Sequence, residues 1–138
     1  MQNILKTTSI LALGGLITHA GQFDVNLFPM KVAGQKAIIK MQMVNHLSEP
    51  VSSAKAACFI SDESGQVVAH SSRWVFGGTT TNSNTMPVGA TNIFNFVVNS
   101  TKPFGTNHLS AKLVFSRIVL KSGMLANPAA DVQTIQKQ

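Results

Sequence analysis

The chain is short of several things, and each shortage closes off a class of protein. A single cysteine in 138 residues leaves no intrachain disulfide and no cysteine-rich zinc site. Charged residues amount to 12% against 44% hydrophobic, which excludes a solvated, disordered chain. Acids are scarce, with 5 Asp and Glu against 11 Lys and Arg and a net charge of +6. Tyrosine is absent and aromatics total 7%. The Phe residues alternate with polar neighbours and read as core. The basic residues Lys31, Lys36, Lys40, Lys55, Arg73, Lys102, Lys112, Arg117 and Lys121 are spread along the chain. Neither feature suggests the contiguous basic stripe with stacking rings that specific nucleic-acid binding needs. No apolar run reaches the roughly 20 residues of a membrane span. The length suits one domain.

Catalytic signatures are missing too. There is no Gly-x-Ser-x-Gly elbow, no phosphate-binding Gly-x-x-x-x-Gly-Lys loop and no Gly-x-Gly-x-x-Gly. Gly77-Gly78 heads a polar loop, not a helix. His46, His70 and His108 share no metal-binding spacing. Asp62 and Glu63 are adjacent, so on an extended chain they diverge and cannot flank one sugar ring. They read as hairpin residues. No catalytic, metal-binding or cofactor-binding residue is assigned, and an enzyme is not expected. Cys58, between Ala57 and Phe59, reads as a small buried side chain. Asn99-Ser100-Thr101 fits a glycosylation acceptor, which matters only in a eukaryotic secretory host.

What is present begins with an address. Lys6 precedes an apolar run from Ile10 to Ile17, and Thr18-His19-Ala20 follows with small residues at the −3 and −1 positions of a cleavage before Gly21. That is the order of a secretory signal. Gly14-Gly15 within the run would weaken a packed helix there. Residues 1–20 are expected to be a signal peptide with a helical apolar stretch. The mature form is expected to be soluble and exported, to the periplasm or the extracellular space.

Beyond it the periodicity is two. Phe23, Val25 and Leu27 alternate with Asp24 and Asn26. Ala37, Ile39, Met41 and Met43 share one face of residues 36–44, with Lys36, Lys40 and Gln42 on the other. Residues 54–60, 66–76 and 94–98 continue the theme, separated by turns at Asp62-Glu63-Ser64-Gly65, Met86-Pro87-Val88-Gly89 and Ser100-Thr101-Lys102-Pro103. Between Leu109 and Leu120 the apolar parity changes, the mark of a bulge or of a strand covered on both sides. The expected fold is all-β: an immunoglobulin-like antiparallel β-sandwich of about seven strands over residues 21–123. Residues 124–138 are expected to be a frayed tail or a short helix. For the helix, Asn127 would be the N-cap and Pro128 the first residue, with Val132 and Ile135 on one face.

Residues 35–98 resemble the FxLYD-like group of immunoglobulin-like domains found in exported bacterial proteins. The shared order is a strand ending in Asn45, a Ser48-Glu49-Pro50 loop, a strand running into Asp62, and a turn glycine before Val67-Val68. A Pro87-Val88-Gly89 turn then leads to a strand built on Phe94 and Phe96. Phe59-Ile60-Ser61-Asp62 stands where the group's name motif falls, without its Tyr. The resemblance implies two hairpins of one sandwich and an accessory or interaction role, with no catalytic residue to carry over.

The chain is therefore expected to bind, as an accessory or structural subunit with a protein partner in the cell envelope. Surface complementarity or strand addition at a sheet edge would provide the contact. Candidate contact residues are Arg73, Trp74 and Phe76, since Trp and Arg are favoured at hot spots. Phe23, Val25 and Leu27 of the first strand, and residues 77–89, are the others. An anionic polymer or membrane surface is the alternative partner, which Lys36, Lys40, Lys55 and Lys112 gathered on one face would favour. A small exported enzyme with a site assembled across loops is a third reading.

Overall fold

The computed structural model describes residues 22–78, 84–105 and 108–138. The expected signal segment and residues 79–83 of the expected contact region lie outside them. Among the described residues eight strands form two sheets. In chain order they are β1 (Phe23–Leu27), β2 (Lys31–Ala33), β3 (Lys36–Asn45), β4 (Val51–Ser61), β5 (Val67–Phe76), β6 (Thr91–Asn99), β7 (Ser110–Leu120) and β8 (Val132–Gln136). One helical turn, α1 (Pro128–Asp131), precedes β8. The all-β expectation holds, as a two-sheet sandwich.

The larger sheet is organised on β3. Strand β6 opposes it from Lys36 to Val44. The same β3 residues also face Leu27 and Lys31, so β1 and β2 must follow one another along its other flank. Pro29, which cannot donate to a ladder, sits at the break between them. The smaller sheet has the order β5-β4-β7, all antiparallel.

The period-two pattern becomes burial directly. Phe23, Val25, Leu27, Ala37, Ile39, Met41 and Met43 are sealed on the inner face of the larger sheet. Ala54, Ala56, Cys58 and Ile60 are sealed on β4. The small side chains of β4 leave room for Phe23, Met41, Met43 and Phe96, as close packing between sheets requires. Phe23 and Phe115 meet edge to face across the sandwich at 5.7 Å, an arrangement that adds to their burial. Fully burying one such side chain contributes about 1.5–3 kcal/mol. The parity change in β7 is a bulge: Phe115 opposes Ala56 and Arg117 opposes Lys55, with Ser116 as the extra residue.

Asn45 ends β3 and is fully buried. Its Nδ2 donates to the Met86 carbonyl (2.9 Å) and the Glu49 carbonyl (3.2 Å), and its Oδ1 accepts from Leu47 N–H (2.9 Å). One side chain thus holds the 46–50 loop and the chain entering β6.

The C-terminal segment opens as the expected short helix but continues as a strand. Asn127 caps α1 by accepting from Ala129 N–H (3.1 Å), and Pro128 opens it, as the sequence predicts. The helix then stops after four residues. Val132 is already extended (φ −107°, ψ 130°), and β8 runs parallel to β1. Val132 and Ile135 therefore do not share a helical face. The β-branched Val132, Thr134 and Ile135 favour a strand, and β1 has a free edge to receive it. Val132–Gln136 are thus built into the larger sheet.

Candidate functional site

The outer face of β4, β5 and β7 is the feature that stands apart. Residues directly opposed across strands share a face, so the register reads off three rows. Lys112, Phe59 and His70 form the first; Val114, Ala57 and Ser72 the second; Arg117, Lys55 and Trp74 the third. Lys112, Val114, Arg117, His70 and Ser72 are exposed. No Asp or Glu occurs in any of the three strands. Three permanent cations and an imidazole therefore share one face with no carboxylate among them.

The two rings are held in place. Lys55 Nζ lies 5.6 Å from the Trp74 ring centroid, a cation–π contact. Phe59 and His70 rings are 5.9 Å apart. Trp74 also rests on the backbone that follows β5. Gly77 and Gly78 both have positive φ (61° and 90°). A Cβ at Gly78 would run into the indole, and one at Gly77 into the Ser52 carbonyl. Only glycine fits there on both counts. Beside the row, Ser116 Oγ donates to the Lys55 carbonyl (3.3 Å).

The nearest acids along the chain lie past the two ends of this face: Glu49 before β4, whose carboxylate accepts from Ser122 N–H (2.9 Å) and Ser122 Oγ (3.2 Å), and Asp62 and Glu63 in the β4–β5 turn. Asp62 Oδ1 accepts from Ser64 Oγ (2.6 Å), Ser64 N–H (2.9 Å) and Gln66 N–H (3.1 Å). These bonds, the Ser64 hydroxyl foremost, hold its carboxyl below its ordinary pKa. Glu63 Oε1 accepts from His108 N–H (3.4 Å).

The sequence candidates separate once placed. Trp74 belongs to this face. Arg73 opposes the buried Ala56 and so lies on the other side of β5, exposed at its edge. Phe76 is half-buried against the core. Phe23, Val25 and Leu27 need correcting as contact residues: they are 0%, 0% and 2% exposed, and β1 is flanked by β3 and β8. The four lysines do not gather, since Lys36 and Lys40 stand on β3 of the other sheet. What sequence reading missed was the grouping of Phe59, His70, Lys112 and Arg117. Only the cross-strand register, with its bulge at Ser116, brings them together.

Other polar groups stay apart from this face. His46 Nε2 is 3.5 Å from Asp24 Oδ2, while Asp24 Oδ1 is buried without a partner. Cys58 is 1% exposed, and burial pushes its thiol up to about 11. Among the described residues no group of three or more His, Cys, Asp or Glu is arranged to hold a metal. No helix among them is long and apolar enough to cross a membrane. A cleft of about 430 Å³ lies between the β4–β5 turn and residues 100–105.

No family model matches the chain, and no curated protein sequence matches it. Among solved structures, a Bordetella pertussis protein given the name ApaA is similar over 78% of this chain and 89% of its own, with a TM-score of 0.51 and 13% identity. At that identity the likeness is one of fold alone.

Proposed function

We propose that the chain is an exported, non-enzymatic binding subunit of immunoglobulin-like type, related to the FxLYD-like domains. It serves as an accessory component of a cell-envelope or extracellular assembly. Its contact surface is the outer face of β4, β5 and β7, and its partner is negatively charged. The observation that carries this reading is the gathering of Lys55, Lys112 and Arg117 beside Trp74 on strands without a single acid. Charge of one sign on one face raises the local concentration of an oppositely charged partner and steers its approach. The signal-like order of residues 1–20 supports export.

Capture from the chain's own cell envelope tests the binding reading. The tagged chain is compared with a variant carrying Lys55→Gln, Lys112→Gln and Arg117→Gln. A partner retained in stoichiometric amount by the first and released by the second is expected. Equal retention by both removes the face from the account. Export is tested by intact mass: the chain recovered outside the cytoplasm should begin at Gly21. Accumulation of the full chain in the cytoplasm would overturn it.

A further inference from the structure

The arrangement of the cations narrows the kind of partner. We infer that this face binds a linear acidic polysaccharide, a chain of uronate-type sugars laid across the strands over Ala57. The inference rests on the reading of the face as a binding surface. Phe59 and Lys55 are four residues apart on β4, about 13–14 Å at the rise of an extended strand. Between their rows lie Ala57, Ser72 and Val114, with the small bulge residue Ser116 beside Arg117. The face is therefore a shallow trough. Phe59 and His70 with Lys112 form one wall, and Trp74 with Lys55 and Arg117 form the other. An extended uronate chain turns successive rings over, so its carboxylates project alternately to its two sides. Cations in both walls meet that alternation. The low middle row leaves room for the rings, and the sugar hydroxyls on the upper side stay in water.

Other polyanions fit less well. An extended acidic polypeptide laid over Ala57 would bring backbone N–H and C=O groups onto β4, whose own are already used in the ladders to β5 and β7, whereas the free edges of β5 and β7 lie to either side of the trough. Such segments add at sheet edges, where partners for those groups exist. Single-stranded nucleic acid needs open rings for successive bases. Here His70 packs on Phe59 and Lys55 covers Trp74. Membrane docking needs a buried apolar face. The exposed large apolar side chains in the three rows are Val114 and Trp74, at 42% and 36%.

Titration calorimetry at fixed ionic strength tests the inference, with polygalacturonate as probe. Its methyl-esterified form, poly-glutamate, oligo-dT and anionic phosphatidylglycerol vesicles serve as comparisons. Polygalacturonate should bind and its esterified form should not. The Lys55→Gln, Lys112→Gln, Arg117→Gln variant should bind about tenfold or more weakly. A variant with Lys31→Gln, Lys36→Gln and Lys121→Gln, which removes the same charge elsewhere, should stay within about twofold. Val114→Glu keeps every cation and should also abolish binding, by placing a carboxylate in the trough. Unchanged far-ultraviolet dichroism and melting separate these effects from misfolding. Equal or tighter binding of poly-glutamate, oligo-dT or vesicles overturns the polysaccharide assignment. So does an envelope partner that is released by protease but not by a polysaccharide lyase. In those cases the binding face itself stands if the cation variant still releases the partner. Equal retention of envelope material by that variant would remove both.

Discussion

Two buried side chains define what single residues do in this fold. Cys58 lies on the inner face of β4, and burial pushes its thiol up to about 11 from an ordinary 9.0. At neutral pH it stays protonated and unreactive. A thiol reagent such as dithionitrobenzoate should leave the folded chain unmodified and should label it stoichiometrically once denatured. Reaction at a similar rate in both states would contradict the packing. The same shift has a sign for stability. Between about pH 9 and pH 11 the unfolded chain releases this proton and the folded chain keeps it, so stability falls as pH rises through that window. Denaturant titrations of the wild type and Cys58→Ala should diverge there, with the flatter profile in the variant. Asn45 works by hydrogen bonding instead. Replacing it with Ala strips a partner from Leu47 N–H and from the Glu49 carbonyl, while the Met86 carbonyl keeps Val51 N–H (2.9 Å). The expected loss is about 2–4 kcal/mol, since buried polar groups left unpaired cost more than a made bond contributes. A denaturation midpoint close to wild type would show that the loops it ties do not depend on it. In the sequence Asn45 marks only the end of a strand, because its partners lie up to 41 positions away.

At the scale of elements, legibility followed the strength of the alternation. Strands β1, β3 and β4 are visible because apolar side chains recur at every second position and all of them are buried. The bulge in β7 is visible as a change of parity. Strand β8 is not visible. Its residues V-Q-T-I-Q are mostly exposed and follow true helix-start signals at Asn127 and Pro128. The β-branched Val132, Thr134 and Ile135 lean toward a strand, but they compete with the helix-start signals, and the free edge of β1 decides between them. This difference has a measurable consequence. Strand β4 is paired on both sides and buried along its inner face, whereas β8 is a sheet edge with only Val132 partly buried. Amide exchange should therefore be slowest in β4 and much faster in β8, since protection follows burial and pairing. Equal protection would mean that the C-terminal strand is as firmly held as the centre. The end of β5 gives a second test. Gly78→Ala demands a left-handed residue and drives its Cβ into the Trp74 indole. It should shift Trp74 fluorescence and destabilise by about 1–3 kcal/mol. An unchanged emission spectrum would show that the indole does not rest on that backbone.

For the molecule as a whole, the distribution of charge was the part that sequence reading could not assemble. Composition gives an excess of base, but which lysines share a face depends on pairing between strands far apart in the chain. Lys36 and Lys40 lie on one sheet, while Lys55 and Lys112 lie on the other. The excess also has an energetic sign. Among the described residues no Lys or Arg forms an ion pair with a carboxylate, and the ion pair that exists joins His46 to Asp24 at 3.5 Å. With a net charge of +6, repulsion among unpaired cations then outweighs attraction, and the compact state carries that repulsion. Salt shortens its reach: the Debye length falls from roughly 30 Å at 0.01 M to about 10 Å at 0.1 M. Added sodium chloride should therefore raise the melting temperature at pH 7 by about 2–5 °C, the size expected for a gain of roughly half to one kcal/mol in a domain of this length. The same salt should weaken binding of a polyanion to the face of β4, β5 and β7, because that attraction is screened too. Stability and affinity are thus expected to move in opposite directions along one salt titration. A melting temperature that falls with salt would mean that net attraction between charges holds this fold together, contrary to the geometry of its cations.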